Sequence, residues 1–272
     1  MKHLFAIVAA VFLLAACNSN SSTEKETSKM PAIKTEDVNY ASDSAKLTGY
    51  VAYDSAATGK RPVVLIIHEW WGLNDYVKSR ARQLAALGYL AMAVDFYGDG
   101  KMGNNPDEAG KLAMPFYTNT ALAKSRFDAA LAKIKAWPQA DTSKIAVIGY
   151  CFGGAMALNM ARLGEPLNGV VSFHGGLAGV PADKNLLKAK ILVCHGADDQ
   201  FVKPAEVAAF KKQMDSIGAD YSFKEYAGAT HAFSNPDATE WGQKFKIPIA
   251  YNAAADTASW SAMKEFFGKI FK

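Results

Sequence analysis

Cysteine is scarce in this chain: there are three among 272 residues. None forms a Cys-x-x-Cys pair, which excludes a dithiol redox motif and a ribbon-type zinc site. His68-Glu69 lacks the second histidine of a zincin helix, because Gly72 stands in its place. His174 and His195 show no ligand spacing either, so no metal and no cofactor is called for. The net charge of +4 comes without a basic block or an aromatic-basic repeat, which argues against a nucleic-acid partner. No apolar run is long enough to cross a bilayer as a stable helix. The longest, Leu4 to Ala16, is too short for that. Half of the residues are hydrophobic, enough for one large core.

The N-terminus is set apart from that core. Lys2 and His3 precede the apolar stretch, which ends Leu14-Ala15-Ala16-Cys17. The pattern resembles a bacterial lipobox cleaved before Cys17, so residues 1–16 read as a signal peptide and Cys17 as the lipid-bearing residue. Residues 17–35 are rich in Ser, Thr, Asn, Glu and Lys and read as a disordered tether. The expected location is the bacterial cell envelope, at the outer membrane or the periplasmic face, with the membrane as a partner through the lipid anchor alone. Residues 36–272 would form the folded domain, and a monomer is the expected state.

Within that domain, strand-like and helix-like segments alternate. Val63–Ile67, 89–96, 145–149, 168–173, 190–195 and 221–226 read as strands. Segments 75–87, 152–163, 204–217 and 260–271 read as helices, and 106–137 as helical material broken near Pro115. This order predicts an α/β fold, doubly wound around a mostly parallel sheet. Its functional residues should then gather at the carboxyl ends of strands. The segment between Phe173 and Lys190 is too short for a separate lid domain, which favours a small substrate over a long-chain lipid.

The chemistry starts at Gly149-Tyr150-Cys151-Phe152-Gly153-Gly154. An apolar strand enters the run and a small-residue helix leaves it. This is the pattern of a nucleophile elbow with cysteine in place of serine. The glycines leave room for a tight turn that lifts one side chain out of the sheet. Cys194 lies inside a strand and should point into the core, so the two thiols are not expected to pair. A thiol nucleophile needs a base, and a base needs an orienting acid. Asp199 follows one strand and His231 lies in a small-residue loop after another, giving the chain order nucleophile, acid, histidine. Each residue alone would pass for a helix cap or a solvated histidine; their joint placement points to a triad. The N–H groups of Phe152 and Trp70 are the expected oxyanion donors, since Phe152 opens a helix.

These residues resemble the dienelactone hydrolase family. The likeness rests on the elbow, on Asp199-Gln200-Phe201-Val202, on Thr230-His231-Ala232-Phe233, and on His68 to Asn74 with Asp95-Phe96-Tyr97. It implies an α/β hydrolase with a Cys-Asp-His triad that opens enol-lactones or cleaves small esters through a thioester. It also gives Glu69 a role, contacting the resting thiol and helping to form the thiolate; a buried ion pair with Arg80 or Arg82 is the other reading of that carboxylate. The arginines with which the family's lactone hydrolases hold a substrate carboxylate are missing, because Gly98-Asp99 and Ser234-Asn235 occupy those places. Lys101 or Lys203 would be poor substitutes for a bidentate clamp. Trp71, Phe96, Tyr97, Phe201 and Phe233 suggest an aromatic pocket, with about half of the flanking aromatics expected in the core. The partner is then a small ester or lactone. The competing reading is a ligand-binding protein that keeps the hydrolase fold without turnover.

Overall fold

A computed structural model describes residues 1–2, 30–43 and 45–272. Cys17 and nearly all of the signal-peptide and tether assignments lie outside the described residues. The folded part starts earlier than expected: strand β1 (Ile33–Ser42) already includes the last residues assigned to the tether. Its partner β2 (Ala45–Asp54) completes an antiparallel ladder from Ile33↔Asp54 to Ser42↔Ala45. Neither strand shows in the sequence pattern. β1 buries only Val38 and Ser42 completely, so it lacks the continuous apolar run that marks a central strand.

The remaining strands are β3 (Arg61–Ile67), β4 (Leu90–Val94), β5 (Ala140–Tyr150), β6 (Gly169–Phe173), β7 (Lys190–Gly196) and β8 (Tyr221–Tyr226). The helices are α1 (Asp75–Ala86), α2 (Pro106–Thr118), α3 (Thr120–Lys135), α4 (Phe152–Arg162), α5 (Pro204–Ser216), α6 (Ala238–Phe245) and α7 (Ala253–Ile270). One sheet holds all eight described strands in the order β1-β2-β4-β3-β5-β6-β7-β8. From β4 to β8 every pairing is parallel; the two involving β2 are antiparallel. The fold is thus the expected doubly wound α/β type.

Period-2 geometry divides the core between the two faces of the sheet. Val63, Leu65 and Ile67 of β3 join Phe116, Phe127, Met156 and Phe210 from α2 to α5. Val64 and Ile66 face the other way, toward Val77 and Leu84 of α1 and Met263 and Phe267 of α7. All five strand residues are fully buried, each contributing about 1.5–3 kcal/mol of apolar transfer.

Two boundaries differ from expectation. The helical segment breaks at Asn119, not at Pro115, which sits inside α2. The carbonyl that Pro115 leaves without its usual partner is on Lys111, at the exposed side of the helix, where water can satisfy it. Asn119 ends α2 and accepts from the Leu122 N–H to start α3. Helix α7 begins at Ala253 rather than Trp260, because Asn252 caps an alanine run that favours helix. Helix α6 lies outside the expected helices, and its role is at the site.

Candidate active site

The elbow is built by sterics. Cys151 has φ 53° and ψ −115°, a conformation that L-residues avoid and that stores roughly 1–3 kcal/mol. It is tolerated because the neighbours are glycines. A Cβ on Gly149 would lie 2.0 Å from the Gly153 carbonyl oxygen, and one on Gly153 would lie 2.1 Å from that of Ile67. Strand β5 and helix α4 therefore approach until nothing but hydrogen fits between them. Cys151 is left partly exposed at the turn, whereas Cys194 is fully buried in β7. Both are free thiols.

The loops after β3, β5, β7 and β8 bring Glu69, Cys151, Asp199 and His231 together. His231 Nδ1 lies 2.8 Å from Asp199 Oδ2. The other oxygen, Asp199 Oδ1, accepts from the N–H groups of Phe201 (2.8 Å) and Val202 (3.1 Å), so the carboxylate cannot rotate away. Burial opposes its charge, but His231 and these N–H groups prevail and hold its pKa below the usual range. Burial also disfavours a charged His231. The Cys151 sulfur, by charge and hydrogen bond, and the Asp199 carboxylate outweigh this and push His231 up to about 10. Close backbone contact sets the spacing: a Cβ on Gly196 would meet the Ala229 oxygen at 2.5 Å. From outside, Ala232 packs with Ala238 and Ile249, with Trp241 and Ile247 against them, so α6 and the following loop hold the histidine loop in place.

Glu69 is buried, and its carboxyl accepts from Asn235 Nδ2 at 2.6 Å. Burial raises its pKa to about 7, against the pull of Asn235, His231 and Arg80. The ion pair suggested for it does not form. Arg80 bonds Asp256 and the Ser234 carbonyl, and Arg82 bonds the Tyr50 hydroxyl. Among the described hydrogen bonds there is also none between Glu69 and the Cys151 sulfur.

A cavity of about 320 Å³ opens over Cys151, lined by Glu69, Trp70, Trp71, Phe201 and His231 among others. Of the aromatics expected there, Trp71 and Phe201 line it. Trp71 is mostly buried against Trp70, Trp241 and Phe245, and Phe201 covers His231 with ring centroids 4.9 Å apart. Phe96, Tyr97 and Phe233 do not. Phe96 and Phe233 are fully buried, packed on opposite faces of the sheet. Tyr97 lies beneath the β3–α1 loop, where its hydroxyl donates to the Trp70 carbonyl at 2.8 Å. Apolar position in a motif cannot by itself distinguish lining from support. Phe152, at the first position of α4, has no intrahelical acceptor for its N–H.

The sequence between residues 47 and 271 matches the model of the dienelactone hydrolase family. The chain belongs to the dienelactone hydrolase family. Protein usf of Aquifex pyrophilus is 32% identical over 203 residues, covering 73% of this chain and 86% of that protein. A dienelactone hydrolase-like promiscuous phosphotriesterase from metagenomic libraries superposes with a TM-score of 0.82 at 34% identity, covering 88% of this chain and 98% of that one. The structure called m3DLH gives 0.84 at 33% identity, over 89% and 100% of the two chains. The protein is accordingly an ester or lactone hydrolase of this family.

The departures from the family now have places in the structure. Asn235, from the Ser234-Asn235 pair after the histidine motif, holds Glu69. Lys101 pairs with Asp99, and neither it nor Lys203 lines the cavity. Sequence reasoning gives Asn235 no role at the site and says of His174 only that it lacks ligand spacing. His174 is fully buried and satisfied. Its Nδ1 shares the Cys151 N–H (3.1 Å) with the Phe173 carbonyl (3.0 Å), and its Nε2 lies 2.7 Å from Ser234 Oγ. Burial, then the charge of His231, keeps it neutral. Its position just after β6, at a strand's carboxyl end, was the available signal. Met114, Tyr117 and Glu206, also in the lining, carried none.

Proposed function

We propose that this protein hydrolyses small esters or lactones with Cys151 as nucleophile, His231 as base and Asp199 as its orienting acid. The observation that carries this is the strained elbow placing Cys151 on the same cavity as a histidine whose far nitrogen is held by a fixed carboxylate. His231 takes the thiol proton and the sulfur attacks the substrate carbonyl carbon. The N–H groups of Phe152 and Trp70 receive the oxyanion, a contribution of about 3 kcal/mol per donor in such sites. As the tetrahedral species collapses, the carbon–oxygen bond breaks and His231 returns the proton to the leaving alkoxide. Water, deprotonated by the same imidazole, then attacks the thioester; the carbon–sulfur bond breaks and the thiol is restored.

In this scheme Glu69 serves as a buried acid poised between its neutral and charged forms near neutral pH. A neutral Glu69 places no negative charge beside the sulfur, and an ionised one would oppose the thiolate. The phosphorus centre named for the metagenomic relative is a second electrophile that the same thiolate would suit.

Cys151→Ala should abolish hydrolysis of short activated esters, a fall of at least about 10³-fold in kcat. Activity surviving that change would remove the mechanism. Ligand binding without turnover in the wild type would favour the non-catalytic reading. The proposal extends to the N-terminus, with residues 1–16 removed and Cys17 lipidated to hold the enzyme at the cell envelope. A fatty-acid label incorporated by wild type and not by Cys17→Ala tests it.

A further inference from the structure

The cavity over Cys151 has an unusual balance of charge. Its lining contains no lysine or arginine among the described residues, while two carboxyl groups, Glu69 and Glu206, face it. Burial raises Glu69 to about 7. Glu206 lies at the other side, in the first turn of α5. Its Oε1 accepts from the backbone N–H groups of Leu177 and, at 2.9 Å, Ala178, which ties the loop after β6 to α5. The neighbouring cation is Arg162, but it is buried behind that loop and donates to the Leu177 carbonyl at 2.8 Å. It is not part of the cavity wall.

The mouth is otherwise apolar. Met114 and Tyr117 of α2 and Phe201 of the β7–α5 loop are each about half exposed at 57%, 48% and 46%. They stand out among the few large hydrophobic side chains that the described surface shows. Tyr117 shares this lining with both Cys151 and Glu206. A substrate acylating Cys151 must therefore run its acyl or leaving group past aromatic faces and beside the Glu206 carboxylate.

We infer that this pocket selects esters and lactones without a negative charge, and that Glu206 is the residue that rejects anionic ones. The inference rests on the hydrolase reading above and adds the substrate class to it. In a low-dielectric cleft two like charges repel strongly, and the one lining group drawn toward positive charge, His231, is already paired with Asp199 rather than free to hold a substrate carboxylate. An uncharged chain gains contact with Trp70, Tyr117 and Phe201. A quaternary ammonium gains attraction to the aromatic faces and to Glu206.

The test uses the full-length chain and three p-nitrophenyl esters of similar length: pentanoate, hydrogen glutarate and 4-(trimethylammonio)butanoate. Wild type should show a kcat/KM for the glutarate at least about tenfold below that for the pentanoate, with the ammonium ester not below the pentanoate. Glu206→Gln keeps an amide oxygen to accept from Leu177 and Ala178, so the loop stays held. This variant should narrow the glutarate deficit at least about threefold. A glutarate ester used as well as the pentanoate, or a deficit unchanged in Glu206→Gln, would overturn the inference. The matching anilides titrated into Cys151→Ala by calorimetry give the same ranking without chemistry. Turnover persisting in Cys151→Ala would sink the thiol mechanism, while the anilide ranking would still decide the charge rule.

Discussion

The floor and the mouth of this cavity are made differently. At the floor, Gly149 and Gly153 let backbone meet backbone, Cys151 sits in a strained conformation, and His174, Ser234 and Asp199 are locked into hydrogen bonds. At the mouth, Met114, Tyr117 and Phe201 are half exposed, and the rings of Tyr117 and Phe201 rest on Phe152 and His231 without a side-chain hydrogen bond among those described. The floor is over-determined, so a small change there should disturb fold and chemistry together. The mouth is under-determined, so a change there should alter which substrate is preferred and leave the fold alone. Rigid elements hold reacting groups; adaptable rims choose what reaches them.

The contrast breaks first at Gly153. A Cβ there would meet the Ile67 oxygen at 2.1 Å and the His68 oxygen at 2.6 Å, all of it backbone that cannot swing aside. Gly153→Ala should lower stability by at least about 4 kcal/mol in urea titration. A loss under about 1 kcal/mol would mean that the floor is looser than described.

Glu69 provides the next test. Its folded-state pKa of about 7 lies above the ordinary value of 4.5, so the folded protein holds a proton that the unfolded chain releases. Stability is therefore greatest below the unfolded value and declines as pH rises from near 4.5 to near 7. Each unit of separation is worth about 1.4 kcal/mol, which bounds the decline at roughly 3 kcal/mol. Glu69→Gln removes the titrating group and still accepts from Asn235. The stability difference between variant and wild type should grow in the variant's favour across that pH window. A difference that stays flat would show that Glu69 is ionised in the fold.

The smallest effect belongs to the rim. Phe201→Ala should change stability by less than about 1 kcal/mol, given its exposure. It should raise KM for an apolar ester a few-fold, with kcat nearly unchanged. A large fall in kcat would place Phe201 with the floor, through its contact with His231.

The same division governs what could be read from the sequence. The parallel strands were legible because strands buried on both faces are continuous apolar runs, as in Val63–Ile67. The elbow was legible because only glycine satisfies the contacts at 149 and 153. Asp199 and His231 were legible through their order after successive strands. The hairpin β1–β2 was not, because an edge with one wet face mixes polar and apolar residues as a tether does. Phe96, Tyr97 and Phe233 sit in site motifs, yet they support the loops from below; adjacency in sequence does not tell which side of a loop a ring takes. Glu206 was invisible because an acid in the first turn of a helix is ordinary on electrostatic grounds alone. Its meaning comes from the cavity wall, which tertiary packing assembles from distant segments.

The central claim is that Cys151 becomes acylated. Intact-mass spectrometry of the full-length chain mixed with a short activated ester near neutral pH reads this directly, with Cys151→Ala and His231→Ala run alongside. The account predicts a transient adduct of the acyl mass in wild type, absent from Cys151→Ala and slow to form in His231→Ala. Ester turnover with no adduct at Cys151, or an adduct that persists in Cys151→Ala, would contradict it.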